Sequence, residues 1–448
     1  MKLIKLLALL LVVCTLFSSC ANTNKTVDTP QKNTEITSNA FAESKVEEPK
    51  MEEPKAEEPK AEEPKAEEPK VEEPKIEEPK AEEPKVEEPP KVEEPKVEEA
   101  VEVLKIKDIK TEVYPYHGKM KVYLKAYQRA AADKKPDVED YVVPMLNPGV
   151  DTVITWEFDR EDADACTFEY GTKEDFSDAK VIELFPDNTS YRLNNLYKAT
   201  TYYVRVTLEC EDEKFVDTSS FKTTDLGPRV MTVDGIYNVR DIGGYKTADG
   251  KTTLQGMIYR GGQMDGTFID KPVEITDNGI DTMINVMNIK HDMDLRAPNE
   301  QDLPQVSPLP NVTFERYGFA GYNMTTETDK GKENIRKIFS ALAKPENYPV
   351  YIHCQGGADR TGVLCFLINA LLGVSLDDII LDYETTSFSH YGTRSTKSGA
   401  YLPYHDMVRQ QIIKYEGDTH TEKVENLLLD TGVTAEEIAS IRKIMLGE

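Results

Sequence analysis

The sequence predicts an α/β domain with a mainly parallel central sheet, preceded by an all-β sandwich and a long extended spacer. Three observations support this arrangement. Residues 46–100 repeat a proline-containing pentapeptide, residues 142–224 contain short alternating apolar runs, and apolar runs alternate with helical patterns beyond residue 229. The chain of 448 residues is therefore best divided by composition before any motif is considered.

The first 19 residues predict a signal peptide. Lys2 and Lys5 form a positive end, and the apolar stretch Leu6–Phe17 is too short to span a bilayer. The stretch ends in small residues before Cys20, which resembles the cleavage site of bacterial lipoproteins. This resemblance implies an exported protein of the cell envelope, anchored to a bacterial membrane through a lipidated Cys20. Ordinary secretion with a chance cysteine is the alternative.

Residues 20–100 predict a disordered linker. From Val46 to Ala100 the chain repeats Ala/Val-Glu-Glu-Pro-Lys about ten times, and the regular prolines remove backbone donors that a helix needs. An extended, polyproline-like spacer of this length could reach on the order of 150 Å. Its 22 glutamates and 10 lysines carry much of the net charge of −27. The acidity therefore does not indicate an acidic face on the folded region.

Residues 101–139 favour no single structure. Lys119–Ala132 could form a helix that Lys134-Lys135-Pro136 would stop. We make no structural prediction for this segment.

Residues 140–226 predict the all-β sandwich. Short alternating runs, among them Val153–Phe158 and Tyr202–Leu208, recur with turn signals between them, which is typical of such a fold. Trp156 is expected to be a core residue of an early strand.

One run in this region, Leu196–Val206, resembles the late strand of a fibronectin type III domain. The resemblance implies an immunoglobulin-like sandwich with Tyr202 as its tyrosine-corner residue, although Lys198 stands where that family commonly has proline. Cys166 and Cys210 both fall in strand-like runs. Two buried free thiols are the simpler expectation for them, and a disulfide is the alternative in an exported protein.

Residues 229–448 predict the α/β domain. Apolar runs at Thr282–Val286 and Tyr348–Ile352 alternate with helical patterns at Glu333–Leu342 and Thr361–Leu372. Strands that alternate with amphipathic helices are typical of a mainly parallel sheet.

Within this domain a strand, a glycine-containing loop and a helix follow one another directly. The apolar run Val350–Ile352 leads into His-Cys-Gln-Gly-Gly-Ala-Asp-Arg-Thr-Gly, residues 353–362. Backbone N–H groups that converge at a helix N-terminus bind anions, glycines permit the tight backbone this requires, and an arginine fork can hold two phosphate oxygens. The predicted phosphate-binding residues are Gln355, Gly356, Gly357, Ala358 and Arg360.

Cys354 lies at the base of this loop, where positive surroundings stabilise a thiolate. The thiolate is expected to attack phosphorus and form a cysteinyl-phosphate, which water then hydrolyses. The hydroxyl of Thr361 could donate to the sulfur and help it leave. The loop therefore predicts a phosphatase acting on phosphate monoesters without a cofactor.

The cysteine, the arginine six positions later, the following Thr-Gly and the preceding His353 resemble the signature of the protein tyrosine phosphatase superfamily. Asn238–Tyr245, Ile258–Gly262, and Asp294–Arg296 with Glu300 after it resemble a bacterial tyrosine-phosphatase-like family. Its members begin with Asn-Phe-Arg-Asp-Leu-Gly-Gly. The resemblance covers most of residues 229 to about 390.

This resemblance implies phosphotyrosine in a protein as the substrate, with a phosphoinositide lipid or an inositol phosphate as alternatives. Related loops often carry Lys where Ala358 stands, and the missing charge weakens the expectation of selectivity for polyphosphorylated lipids. For Arg240, Asp241 and Arg260, salt bridges and turns that pack the domain are at least as well supported as contacts to substrate.

The leaving oxygen needs a proton, normally from an aspartic acid. The Trp-Pro-Asp tripeptide that supplies it in many relatives does not occur in this sequence. Because loops of this family carry Asp directly before the Arg, the resemblance implies Asp359 as the acid. Asp329 is the second candidate, and a helix-capping role for Asp359 is the alternative.

The remaining cysteine and histidine residues suggest no further chemistry. Cys365 is expected to pack in the core, the six histidines lack metal-ligand spacing, and no basic patch suited to nucleic acid is found. No metal is implied. Two other functions stay open: a surface binding protein that uses the phosphatase-like domain as a scaffold, and sulfur transfer through Cys354.

Overall fold

The computed structural model describes residues 103–448 except 111, 144–147, 269–270, 298–302, 320–327 and 398–410. The signal peptide, Cys20, the repeat spacer and Glu300 lie outside the described residues. Within the described ranges, no helix combines the length and apolar character needed to cross a membrane.

Eight strands form two sheets in the first folded region. They are β1 (Leu104–Ile106), β2 (Glu112–Val113), β3 (Thr152–Phe158), β4 (Ala165–Gly171), β5 (Lys180–Leu184), β6 (Ser190–Leu193), β7 (Thr201–Cys210) and β8 (Glu213–Thr223). One sheet has the order β1-β3-β6 and the other the order β2-β8-β7-β4-β5. All pairings are antiparallel except β2 with β8.

The inner faces of these two sheets contribute to one apolar core. Alternate residues of β7 are buried, as expected for a strand with one face on the core. Trp156 is buried and stacks on Phe168 with ring centroids 5.8 Å apart. The prediction that Trp156 is a core residue is therefore confirmed.

The segment for which we made no prediction contributes to both sheets and adds a helix. Ile106 in β1 pairs with Trp156 in β3, so the sheets begin well before residue 140. The helix is α1 (Gly118–Arg129), with Met120, Tyr123, Leu124 and Tyr127 buried. Their helical spacing places them on one face, which is buried in the fold.

Two details of the sandwich bear on its sequence features. The backbone N–H of Tyr197 donates to the hydroxyl of Tyr202 at 2.9 Å, which is the contact expected of a tyrosine corner. Cys166 and Cys210 are buried free thiols, so the alternative of a disulfide between them does not hold.

The second folded region is built on a six-stranded sheet flanked by helices. Its strands, with a separate hairpin of β12 and β13, are β9 (Arg229–Val230), β10 (Arg240–Asp241), β11 (Ile258–Gly261), β12 (Thr267–Phe268), β13 (Lys271–Pro272), β14 (His291–Asp294), β15 (Thr313–Arg316) and β16 (Val350–His353). Its helices are α2 (Asp277–Asp281), α3 (Asp329–Leu342), α4 (Asp359–Leu371), α5 (Leu376–Thr385), α6 (His420–Asp430) and α7 (Ala435–Leu446).

The strand order in the large sheet is β15-β14-β16-β11-β10-β9. The four strands from β15 to β11 pair in parallel. The pairings of β11 with β10 and of β10 with β9 are antiparallel. The sheet is therefore mixed, where the sequence predicted a mainly parallel one. The parallel strand β16 lies in the interior of the sheet and ends at the predicted phosphate-binding loop.

One strand-like run was misplaced by sequence reasoning. Thr282–Val286 forms a π-helical turn directly after α2, with Met283 buried but Val286 exposed. The strand comes next, at His291–Asp294, and all four of its residues are buried. Three of its four residues are polar, so a search for apolar runs does not detect this strand. Ion pairs, rather than apolar contacts, accommodate these side chains in the interior.

The helices predicted around the loop are confirmed, with α3 beginning a few residues earlier than expected. All residues of α4 from Arg360 to Leu371 are buried, so this helix is enclosed on every side. Cys365 is among its buried residues, as predicted.

Candidate active site

The predicted loop joins the end of β16 to the beginning of α4. Cys354 follows the last residue of the strand and is 4 % exposed, and Arg360 lies in the first turn of the helix with the same exposure. The neighbouring strands β11 and β14 flank β16 on its two sides. The sheet therefore fixes the base of the loop, and the helix fixes its other end.

The carbonyl groups of the loop are held from outside by the rest of the domain. Gln263 N donates to Gln355 O (3.0 Å), Asn238 Nδ2 to Gly356 O (3.0 Å), and Arg260 Nη2 to Gly357 O (2.7 Å) and Ala358 O (3.2 Å). Among described residues, none accepts a hydrogen bond from the N–H groups of residues 355–358. The loop thus has four backbone donors left for an anion.

Gly357 is required by the backbone at its position. Its φ is +62°, and a Cβ there would lie 2.0 Å from the carbonyl oxygen of Gly261. No other residue type fits without a shift of the loop. The tight loop that the two glycines predicted is therefore present.

Arg360 is anchored beside the loop by backbone oxygens of two neighbouring segments. Its Nη1 donates to Leu295 O and to Phe319 O, at 3.4 Å in each case. These carbonyls follow β14 and β15, so the guanidinium lies at the same sheet edge as Cys354.

Thr361 does not form the contact that was suggested for it. Its side chain is fully buried and its hydroxyl has no hydrogen-bond partner within the described ranges. A hydrogen bond from Thr361 to the sulfur of Cys354 is thus not formed in this structure.

Asp359 is engaged by a residue that sequence reasoning missed. Arg394 donates from Nε to Oδ1 (2.8 Å) and from Nη2 to Oδ2 (3.0 Å), and the hydroxyl of Tyr383 donates to Oδ1 (3.0 Å). The carboxylate does not cap the helix, because Ala358 occupies the N-cap position. Arg394 lies 35 residues downstream and belongs to no motif, so nothing in the sequence indicated this pair.

The other candidate acid, Asp329, is the first residue of α3 and is exposed. It directly follows the cap residue Thr328, and the residues before that cap are outside the described part of the chain. The described contacts give it no link to the loop.

The residue before the nucleophile is a buried histidine that lies close to two carboxylates. His353 Nε2 lies 3.0 Å from Asp292 Oδ1, and its Nδ1 lies 4.0 Å from Asp294 Oδ1. Burial lowers the pKa of His353, but the two carboxylates outweigh it and raise the pKa above its ordinary value.

Asp294 is the centre of the ion pairs at this edge of the sheet. Arg296 Nε and Arg316 Nε both lie 3.0 Å from its carboxylate. Burial would raise the pKa of Asp294, but His353 and Arg296 lower it to about 2. This carboxylate therefore stays ionised and balances the cations behind the loop.

Arg240 and Arg260, which the sequence comparison with the bacterial family singled out, lie behind the loop. Both are buried and pair with the two oxygens of Asp382 on α5, Arg240 at 2.8 Å. Asp241 pairs instead with Arg229 at 2.9 Å. Arg240, Asp241 and Arg260 therefore form salt bridges that pack the domain, which was one of the two roles considered for them. Arg260 also donates to the carbonyls of Gly357 and Ala358 in the loop. Asp382 was not identified from the sequence.

Aromatic side chains border one side of the loop. An ideal Cβ on Gly356 would lie 3.0 Å from the ring of Tyr391. Tyr391 packs edge-on against Phe268 with centroids 4.5 Å apart and lies near Tyr237 at 6.4 Å. The hydroxyl of Tyr391 is buried without a partner among the residues that the structure describes.

In the described part of the chain, no cluster of three His, Cys, Asp or Glu side chains has a geometry that could hold a metal ion.

Comparisons with known proteins show what this domain is similar to. Residues 231–447 match the tyrosine phosphatase family. A Cupriavidus necator protein with the provisional name tyrosine-protein phosphatase is 23 % identical over 180 residues, covering 35 % of this chain and 63 % of that relative. The chain thus spans under two thirds of that relative's length.

Two solved structures of the Siw14 catalytic core are also similar. One, titled as the core catalytic domain of a PP-IP phosphatase from S. cerevisiae, is 19 % identical with a TM-score of 0.26, covering 40 % of this chain and 92 % of that one. The other is 17 % identical with a TM-score of 0.27, covering 43 % of this chain and 94 % of that one.

Proposed function

We propose, from the match of residues 231–447 to the tyrosine phosphatase family, that the protein is a phosphoric monoester hydrolase with Cys354 as its nucleophile. The observation that carries the proposal is the loop itself. Its carbonyls are held outward by Gln263, Asn238 and Arg260, which leaves the N–H groups for a phosphate above the thiol.

The reaction proceeds in two displacements at phosphorus. The N–H groups of residues 355–358 and the guanidinium of Arg360 hold the phosphate oxygens and stabilise the charge that develops on them. The Cys354 thiolate forms a bond to phosphorus as the ester oxygen leaves and takes up a proton. Water then attacks the cysteinyl-phosphate, releasing inorganic phosphate and restoring the thiolate.

Asp359 is our candidate for the acid that protonates the leaving oxygen. Its carboxylate lies directly before Arg360 at the end of the loop, and Arg394 holds it through two hydrogen bonds.

We propose an aryl phosphate, most simply protein phosphotyrosine, as the substrate. The rings of Tyr237, Phe268 and Tyr391 provide an apolar border on one side of the loop. A phenyl ring attached to a phosphate in the loop can pack against such a border. Ala358 adds no cation for a second phosphate group.

The experiment is hydrolysis of an aryl phosphate by wild-type protein and by Cys354→Ser. We expect Cys354→Ser to abolish turnover while the thermal unfolding midpoint is kept, because a hydroxyl ionises too weakly to replace the thiolate. Arg360→Lys should also fail, since an ammonium cannot hold two oxygens as a fork. Turnover that persists in Cys354→Ser, or that a chelator removes from the wild type, would overturn the mechanism.

The substrate is tested with a panel of phosphotyrosine peptides, phosphoinositides and inositol phosphates. The proposal expects the highest kcat/KM for the phosphotyrosine peptides. A higher value for either inositol class would replace the substrate while retaining the mechanism.

We propose further that the protein is held in the cell envelope through lipid on Cys20. The support is the short apolar stretch and the small residues before this cysteine. The wild type should then sediment with membranes, and Cys20→Ala should move to the soluble fraction. Sedimentation of both forms would contradict the anchor.

We also propose that the sandwich is of the fibronectin type III kind. Support comes from the hydroxyl of Tyr202, which lies near the start of β7 and accepts from the backbone five residues upstream, and from β3 pairing with β6 while β4, β7 and β8 share the other sheet.

A further inference from the structure

A segment between β2 and β3 of the sandwich packs against the catalytic domain. This segment, residues 117–141, is called the brace here and contains α1. Its buried face shares an apolar cluster with Leu381 on α5 and with Phe388 just beyond α5. The ring centroids of Tyr123 and Phe388 are 5.7 Å apart.

Polar contacts connect the brace to one loop of the catalytic domain. This loop, residues 389–397, is called the return loop. Asp137 Oδ1 accepts a hydrogen bond from Ser395 Oγ at 2.7 Å. Lys397 Nζ donates to the carbonyl of Lys135. The brace thus holds two positions near the end of the return loop.

A buried glutamate joins the brace to a third position of the return loop. The hydroxyl of Tyr123 donates to one carboxylate oxygen of Glu384, and the other oxygen accepts from Thr396 N at 2.8 Å and Thr396 Oγ1 at 2.6 Å. Burial raises the pKa of Glu384, so each of these donors matters for keeping it in place. Loss of one donor leaves a buried oxygen poorly satisfied.

The return loop carries two residues that contact the phosphate-binding loop. Arg394 makes the bidentate pair with Asp359, and Tyr391 lies against Gly356. Arg394 is immediately followed by Ser395, which bonds Asp137 of the brace, and by Thr396, which bonds the same glutamate as Tyr123. Three consecutive residues therefore connect the brace to the phosphate-binding loop.

We infer that Tyr123 and Asp137 of the brace are positioning residues for the reaction, acting through the return loop and Arg394 on Asp359. The inference rests on the proposed function. A shift of the return loop would move the carboxyl that is our candidate acid and the ring that borders the phosphate. Residues more than 200 positions away in the sequence therefore complete the active site.

The test compares two matched substitutions in the full chain, Tyr123→Phe and Tyr127→Phe. Each removes one hydroxyl from α1, but the hydroxyl of Tyr127 donates to Asp377 O at 3.1 Å, at the opposite end of α5 from Glu384. We expect Tyr123→Phe to lower kcat/KM for an aryl phosphate about tenfold by misplacing groups at the site. Tyr127→Phe should leave it unchanged.

A double-mutant cycle decides whether the effect passes through Arg394. In the Arg394→Ala background, Tyr123→Phe should cause no further loss, because the residue that transmits it is gone. A general loss of stability would instead reduce activity in both backgrounds. Ser395→Ala removes the other hydrogen bond between the brace and the return loop, the one to Asp137, and should reproduce the effect if Tyr123→Phe does not fold.

The outcomes separate the two proposals. If the wild type is active, three results overturn the inference. Tyr123→Phe and Tyr127→Phe could lower kcat/KM equally, or neither Tyr123→Phe nor Ser395→Ala could change it. Tyr123→Phe could also lower kcat/KM by the same factor in the Arg394→Ala background as in the wild type. A wild type without turnover that depends on Cys354 would instead overturn the proposed function itself.

Discussion

At the scale of single residues, Asp359 has two possible roles, as the acid of the reaction and as a structural support of the loop. It is the first residue of α4 and lies directly before Arg360, and Arg394 and Tyr383 together supply three donors to its carboxylate. These donors fix the carboxylate at the end of the loop. A substitution that removes the proton but keeps the shape distinguishes acid from structural support.

We expect Asp359→Asn to slow esters of poor leaving groups by roughly 10²-fold, on the usual scale of acid catalysis. Esters whose leaving group is already a weak base should be affected much less, because they need little protonation. The measurement is kcat for a series of aryl and alkyl phosphates. If all esters slow equally and the thermal midpoint falls, Asp359 is a structural residue and Asp329→Asn is the next variant to make.

The buried amine of Lys198 lowers the free energy of unfolding when it is charged. Its Nζ donates to Gly227 O at 2.7 Å and lies 4.6 Å from the ring centroid of Tyr245. Burial lowers the pKa of Lys198 from 10.5 to about 8. Below pH 8 the folded protein therefore holds a charged amine in a place that disfavours it.

Stability should rise with pH over the range in which only the folded form has lost this proton. Between about pH 8 and pH 10.5 the unfolded chain binds more protons at Lys198 than the folded chain does, so the free energy of unfolding increases with pH there. The full shift corresponds to about 3 kcal/mol. Urea unfolding at several pH values measures it. The increase should be smaller in Lys198→Met, and equal slopes in both proteins would contradict this account.

At the scale of elements, the strand, loop and helix around Cys354 could be predicted because each carries a local signal. The strand β16 is a short apolar run, Gly357 supplies the positive φ, and α4 is apolar on all faces. By contrast β14 could not, since His291–Asp294 is mostly polar and is buried through ion pairs formed only in the fold. Arg394 likewise reaches Asp359 by a tertiary contact without a sequence signature.

Gly357→Ala tests how strictly the loop backbone is fixed. The added Cβ would lie 2.0 Å from Gly261 O, so the loop must shift and its N–H groups must lose their common direction. We expect kcat/KM for an aryl phosphate to fall by about 10²-fold, as for a small misplacement of reacting groups. Inhibition by inorganic phosphate should weaken in parallel.

Gly250→Ala is the matched control. Gly250 also has a positive φ, +85°, but no atom lies within 4 Å of an ideal Cβ at this position. The backbone strain is thus similar while the steric clash is absent. A loss of activity in Gly250→Ala equal to that in Gly357→Ala would mean that strain alone, not the loop contact, explains the result.

At the scale of the whole molecule, the sandwich and the catalytic domain share contacts that the sequence did not reveal. Arg229 donates to Asn195 O at 2.6 Å and to Leu196 O at 3.0 Å, and its guanidinium lies 4.0 Å from the ring centroid of Tyr197. The boundary predicted between residues 226 and 229 separates groups that satisfy one another in the folded protein.

The repeat spacer should have no part in catalysis. Deletion of residues 46–100 is expected to leave kcat and KM for a small soluble ester unchanged, because a chain with a proline in every repeat presents no fixed surface. The measurement is steady-state hydrolysis by the two proteins side by side. A large fall in the rate after the deletion would show that the spacer contacts the folded region.

Because the cysteines that the structure describes outside the phosphate-binding loop are buried, chemical labelling of Cys354 can count the active sites. Cys166, Cys210 and Cys365 are enclosed in the folded chain, and burial raises the pKa of Cys166 and Cys365 to about 11. Protonated thiols react slowly with alkylating agents, whereas the loop around Cys354 attracts anions. Iodoacetate should therefore add one carboxymethyl group to each intact catalytic domain. Mass spectrometry would then give the fraction of competent molecules in any preparation before its natural substrate is known.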